Sequence, residues 1–326
     1  MKAEKGKMDS SEKQELALGA LNEFLTIRDA KGRTALTVGL IVTVYFENPS
    51  SQRVRQAVAD IADRYIAEFH KELVWTQQPK TGRVHSIRKN RVPLPGAWIP
   101  QLSEGESWSL GFYGGEDIDG ASPFLVGGLG DPYRKDVLGY VHIHLPMRWH
   151  ADYPGEFPSY VLDLCQRIRP VSGYAGVGFQ LPRTYEGQIK SEFLIAPLAK
   201  RFPGVEVDEP IETMHCIEKG GIKGVNWLTI LDDRYLPEVG GLDYLRMRLP
   251  ENAFPFYKYD GGLIIQAGPW PQIGDTMKNL WPEHYVTLTK VLKKIQIKEH
   301  YGIIQKKRGA MDNDAMKEWI FRFDGK

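Results

Sequence analysis

The densest apolar stretch of the chain is Ala35–Phe46, rich in β-branched residues and with few polar interruptions. Such a run predicts a strand buried on both faces. Asn48-Pro49-Ser50-Ser51 stops it and supplies a cap for a helix over Gln52–Leu73. On that helix Val54, Val58, Ile61, Tyr65 and Phe69 recur at intervals of three and four, the stripe of a helix with one buried side. A short helix is expected before them, over Glu15–Leu25. Residues 76–100, rich in Pro and basic groups, read as an irregular excursion. Further strands are expected at Trp108–Gly114, Val137–Leu145, Tyr174–Leu181, Val225–Leu231 and Tyr257–Gln266. Helices are expected at Phe157–Arg169, Ile189–Arg201, Gly241–Leu249 and Glu283–Ile295. Gly127-Gly-Leu-Gly130, placed before Asp131 and Pro132, reads as a turn.

Strand, helix, strand and helix follow one another twice. A shift of 86 residues lays Tyr140–Leu145 on Asn226–Leu231, Gly176 on Gly262 and Gln180 on Gln266. The expected fold is α+β, two related halves packed as one unit with mixed or antiparallel sheets. The organisation is a mobile N-terminal arm at 1–14, an N-terminal half at 15–203, a C-terminal half at 204–300, and a tail at 301–326. In the tail, Trp319, Ile320 and Phe321 pack back.

Composition changes this picture little. Of 326 residues, 42% are hydrophobic and 25% charged, ordinary values for a globular chain. The 42 Lys plus Arg against 41 Asp plus Glu argue against general nucleic-acid binding, which draws its affinity from a basic excess. Two cysteines, Cys165 and Cys216, are too few for a disulfide scaffold and read as reduced thiols in apolar surroundings. The charged N-terminus has no apolar segment of a secretory leader behind it, and the longest apolar run is about half a membrane span. A cytoplasmic protein is expected.

The search for chemistry returns little. Neither a phosphate-binding loop nor a dinucleotide fingerprint occurs, and there is no nucleophile elbow. His142 and His144 are two apart, so on a strand their imidazoles share a face. With His150 or Asp152 they are the candidate metal ligands. The competing reading is the polar face of a half-exposed strand, with Val141, Ile143 and Leu145 inward. Spacing ties no distant His or Asp to the pair, so neither a metal nor a cofactor nor a catalytic residue is assigned. Asp232-Asp233 reads as a cap and turn.

Charge is uneven along the chain. Between Leu73 and Ser103 there is no Asp or Glu, while Lys80, Arg83, Arg88, Lys89 and Arg91 are basic. Between Gln101 and Tyr133 the acids Glu104, Glu106, Glu116, Asp117, Asp119 and Asp131 meet no Lys or Arg. A second acidic block is Glu206, Asp208, Glu209 and Glu212. Either run is a solvated face or an acidic surface that meets a basic cleft on a partner. Trp108, Tyr113, Trp149, Tyr153 and Trp270 lie near turns as candidate anchors beside it.

Five strings carry a resemblance. They are Gly39-Leu-Ile-Val-Thr-Val-Tyr-Phe46, Arg169-Pro-Val-Ser-Gly-Tyr-Ala-Gly-Val-Gly178, Gly221-Ile-Lys-Gly-Val-Asn-Trp-Leu228, Gly261-Gly-Leu-Ile-Ile-Gln-Ala-Gly-Pro269 and Trp281-Pro-Glu-His-Tyr285. Together, over roughly residues 35–300, the chain resembles the type VI secretion immunity family. The resemblance implies an inhibitor of a cognate type VI effector carrying a nuclease domain of the VRR-Nuc or Tox-REase kind. The search for chemistry, the charge balance and the short apolar runs add the expectation of no enzymatic activity, no direct contact with nucleic acid and no membrane. The partner-binding residues expected on the acidic surface are Glu104, Glu106, Glu116, Asp117, Asp119, Glu206, Asp208 and Glu209. The alternatives are a metal-dependent hydrolase using His142 and His144, or an adaptor that loads the effector for secretion.

Overall fold

A computed structural model of the chain describes residues 10–78, 81–89, 92–131, 138–302 and 311–326. Most of the expected arm, and Lys80 and Arg91 of the basic stretch, lie outside the described residues. The first part carries α1 (Ser10–Leu25), β1 (Ile27–Arg28), β2 (Thr34–Phe46), α2 (Gln52–Glu68), β3 (Trp75–Gln77), β4 (Val84–Ser86), β5 (Trp108–Gly114), β6 (Phe124–Gly130) and β7 (Gly139–Pro146). Next come α3 (Met147–Asp152), α4 (Glu156–Ile168), β8 (Ser172–Gln180), α5 (Tyr185–Arg201) and α6 (Pro210–Ile217). Then follow β9 (Leu228–Asp232), α7 (Gly241–Arg248), β10 (Phe256–Tyr259), β11 (Gly262–Gln266), α8 (Glu283–Leu292) and α9 (Asn313–Ile320).

The strands join in one antiparallel sheet of order β10-β11-β9-β8-β2-β7-β6-β5-β3-β4, with β1 paired to the start of β2. The fold is α+β. Because β8 pairs β9, strands from both parts of the chain share one sheet. β2 lies near its middle, and every residue from Ala35 to Phe46 is buried, as the β-branched run requires.

Ser51 caps α2 by accepting from the Val54 amide, and Val54, Val58, Ile61 and Tyr65 are buried. The helix ends at Glu68, short of the expected Leu73. Phe69 then packs, tilted, between Tyr65 and Phe124, with centroids 4.7 and 5.3 Å away. Alternation along paired strands puts Phe124 and Val126 on the sheet face that bears Val141, Ile143 and Leu145. That is the face α2 covers.

Four expectations need correction. The glycines at 127–130 belong to β6, a paired interior strand, rather than to a turn. They are small because neighbours fill the space: a methyl group at Gly127 would lie 2.3 Å from Nε2 of His142, and one at Gly130 would lie 2.4 Å from the Trp108 ring. Tyr257–Gln266 is a hairpin, β10 and β11, turning at Asp260-Gly261, where Gly261 has φ +92°. The excursion at 76–100 includes most of β3 and all of β4 at the sheet edge. Residues 210–217, to which no element was assigned, form α6. Trp319 and Ile320 pack back in α9 as expected, and Asp232 caps the turn after β9.

Among the described residues no helix is long and apolar enough to cross a membrane.

Candidate functional site

Cross-strand register sets His142, Thr43 and Tyr174 side by side on β7, β2 and β8. Residues directly opposite in antiparallel strands share a face, so all three project from the side of the sheet away from α2. His144 projects there too, two residues on. The segment leaving α5 crosses this face and delivers Asp208. Its Oδ1 accepts from the Thr43 and Tyr174 hydroxyls, both at 2.8 Å. Its Oδ2 stands 3.6 Å from Nδ1 of His142 and 3.7 Å from Nε2 of His144.

All three side chains are at most 4% exposed. The half-exposed polar strand anticipated for the histidines is therefore absent: β7 is buried on both faces, because α2 covers one and the 204–217 segment lies over the other. Burial pushes the His142 imidazolium down to about 4, so the ring is neutral at pH 7. His150 does not join the pair. It lies edge-on to Trp227 and Trp270, and Asp152 is exposed. The group whose ligand atoms converge is His142, His144 and Asp208, all within 4.8 Å of one another.

Two neighbouring acids of the 206–212 block, Glu206 and Glu209, also turn inward. Glu206 is 3% exposed, lies 2.9 Å from Nζ of Lys223, and accepts from the Asn226 amide at 2.9 Å. Arg322, following α9, approaches the same carboxylate at 3.8 Å and lies over the Trp319 ring. Burial, with the charge of Asp208 second, pushes the Glu209 carboxyl up to about 7. Glu206 and Asp208 thus occupy the interior, where an acidic outer surface was expected.

The earlier acids stay outside but do not form one patch. Glu104 and Glu106 are exposed just before β5, and Glu116, Asp117 and Asp119 follow its other end. Seven residues of strand separate the groups by about 20 Å. The 102–106 loop is held from below by Arg55, a buried residue of α2 that donates to the carbonyls of Leu102, Ser103 and Glu106. The 115–119 loop wraps two cations of the β1–β2 turn region. Glu116 pairs with Arg28 at 2.7 Å, while Arg33 meets Asp29 at 2.7 Å, Asp119 at 3.1 Å and Asp117 at 3.5 Å. Four carboxylates against two guanidinium groups, with Lys31 exposed in the same turn, leave a small acidic excess. Of the proposed anchors, Trp108, Tyr113 and Trp149 are core residues and Tyr153 is half exposed.

The profile of the family described as TsiV, type VI immunity for VRR-NUC, matches residues 57–323. The chain belongs to that family. The TsiV-family fold is also seen in a solved structure, the Pseudomonas aeruginosa T6SS protein PA0821, to which this chain is 25% identical. The TM-score is 0.83, and the match covers 95% of this chain and 90% of that one. No curated protein sequence matches the chain.

Several of the strings that carry the TsiV resemblance serve the interior. Trp227 stacks on Phe157 at 5.7 Å and donates to the Gly268 carbonyl at 3.0 Å. Tyr285 is fully buried and accepts from the Gln272 amide. Gly39 leaves room for the Gln180 amide, which donates to Leu145 at 2.9 Å. Substituting such residues would damage the scaffold of a TsiV-family protein without touching its outer surface.

Proposed function

We propose that this chain binds a cognate type VI effector with a VRR-Nuc nuclease domain and neutralises it by stoichiometric protein–protein inhibition. The observation that carries the reading is the match to the type VI immunity family over residues 57–323. The buried His142–His144–Asp208 cluster supports an inhibitor over an enzyme, because side chains at most 4% exposed offer a substrate no approach.

Charge suggests how the inhibitor engages its target. A nuclease cleft is lined with cations that hold phosphates, and carboxylates set in a fixed frame compete for them. The 115–119 loop meets that requirement, since Glu116 and Asp117 are 62% and 41% exposed while Arg28 and Arg33 fix their positions. Glu104 and Glu106 offer a second contact at the other end of β5. Protection of a genome demands tight binding, and a nanomolar dissociation constant corresponds to about 12 kcal/mol.

Co-expression of the chain with a candidate VRR-Nuc effector from the same genome tests the reading. Cells should survive, and the two proteins should co-purify. Death of the co-expressing cells with both proteins soluble and separate would refute it.

A further inference from the structure

The two imidazoles facing Asp208 present a chemical contradiction. Nδ1 of His144 lies 3.0 Å from the Ser122 carbonyl oxygen, which only accepts, so that nitrogen carries the proton. In the neutral ring Nε2 is then a bare lone pair, and it faces the Oδ2 atom of a carboxylate. Nδ1 of His142 stands in the same relation to that oxygen. Among the described residues neither nitrogen has a hydrogen-bond partner, although His142 is 2% and His144 3% exposed. Buried polar atoms are normally satisfied, and two orphans aimed at one anion call for a cause.

The distances point to it. Separations of 3.6 and 3.7 Å are too long for hydrogen bonds, whose donors and acceptors lie within about 3.2 Å. They suit two ligands of one ion: atoms about 2.1 Å from a tetrahedral zinc stand about 3.4 Å apart. The surrounding bonds fit as well. Thr43 and Tyr174 occupy Oδ1 and leave Oδ2 open, and the Ser122 carbonyl fixes the His144 tautomer, as outer partners of metal ligands do.

We propose that Nδ1 of His142, Nε2 of His144 and Oδ2 of Asp208 bind one divalent transition cation, of which zinc best suits two imidazoles and a carboxylate. The ion would lie between the sheet and the segment that joins α5 to α6, fastening that segment to β7. With its ligands closed off from solvent, its role is structural. This inference stands apart from the inhibitor reading and survives that reading's failure.

The test uses the full chain, freed of any histidine tag and stripped with a chelator. Titration with zinc chloride should raise Tm until one equivalent is bound. Cobalt(II) in its place should give the visible absorption of a tetrahedral site with nitrogen ligands. Asp208→Asn, checked for folding by circular dichroism, should abolish both responses. If that variant does not fold, the wild-type titrations decide alone. A folded wild-type chain that takes up no zinc or cobalt would overturn the proposal, as would a folded Asp208→Asn chain that binds them as well as wild type.

Discussion

Glu206 and Lys223 form an ion pair of 2.9 Å in which both side chains are 3% exposed. Water contributes almost nothing to either charge, so each depends on the other, with Asn226 and Arg322 completing the shell of the carboxylate. Removing one partner of such a pair leaves the other buried and uncompensated. Glu206→Ala is expected to cost about 3–5 kcal/mol of unfolding free energy by urea denaturation. Adding Lys223→Met should recover part of that loss. A single-variant loss below about 1 kcal/mol would show that the pair is not sequestered.

Packing around the His142 ring gives a second expectation. Gly127→Ala sets a methyl group against the imidazole and should lower stability by about 1–3 kcal/mol. The control is Gly19→Ala in α1, where a methyl group meets none of the described residues within 4 Å. Helix propensity there should raise stability by about 0.5–1 kcal/mol. Equal effects of the two substitutions would contradict the register of β6 against β7.

Acid should act through His300. Its Nε2 lies 2.8 Å from the Thr213 hydroxyl and its Nδ1 donates to the Tyr301 carbonyl at 2.6 Å. Burial, aided by the Lys223 charge, lowers its pKa from 6.5 to about 3. The unfolded chain therefore takes up this proton first. The contribution is complete above about pH 6.5 and is lost as pH falls toward 3. Between pH 7 and pH 4.5 this one group should remove about 2–3 kcal/mol. Urea midpoints measured across that range should fall less steeply for His300→Gln than for wild type.

Charge on the 115–119 loop should govern encounter with the nuclease. Converting Glu116 and Asp117 together to Lys is expected to weaken effector binding about tenfold or more and to flatten its dependence on salt. Glu104→Lys with Glu106→Lys separately interrogates the far end of β5. If calorimetry at low and high salt finds neither pair altered, the acidic surface is not where the effector docks.

How far the sequence revealed these features depends on the range of the interactions involved. The β2 strand and the α2 helix were legible because their signals are local: an apolar run of β-branched residues, and a Ser51 cap followed by a stripe at three and four. The β6 strand was hidden because Gly127 and Gly130 look like turn residues until the His142 and Trp108 rings across the sheet are seen. The 206–212 block looked like a solvated face because its partners, Lys223 and Arg322, are reached only by folding. Alternation placed His142 and His144 on one face, yet nothing in their spacing pointed to Asp208, which follows His144 by 64 residues and arrives over the sheet only after α5. Tertiary charge pairing and cross-strand packing leave no periodic trace.

The central claim concerns inhibition in a fixed ratio, and a cleavage titration tests it most directly. Purified VRR-Nuc effector is incubated with DNA while this protein is added in steps of a tenth of an equivalent. Cleavage should fall in a straight line and vanish at a fixed molar ratio, with the two proteins eluting together from a sizing column. Undiminished cleavage in the presence of a tenfold excess of folded protein would contradict the account.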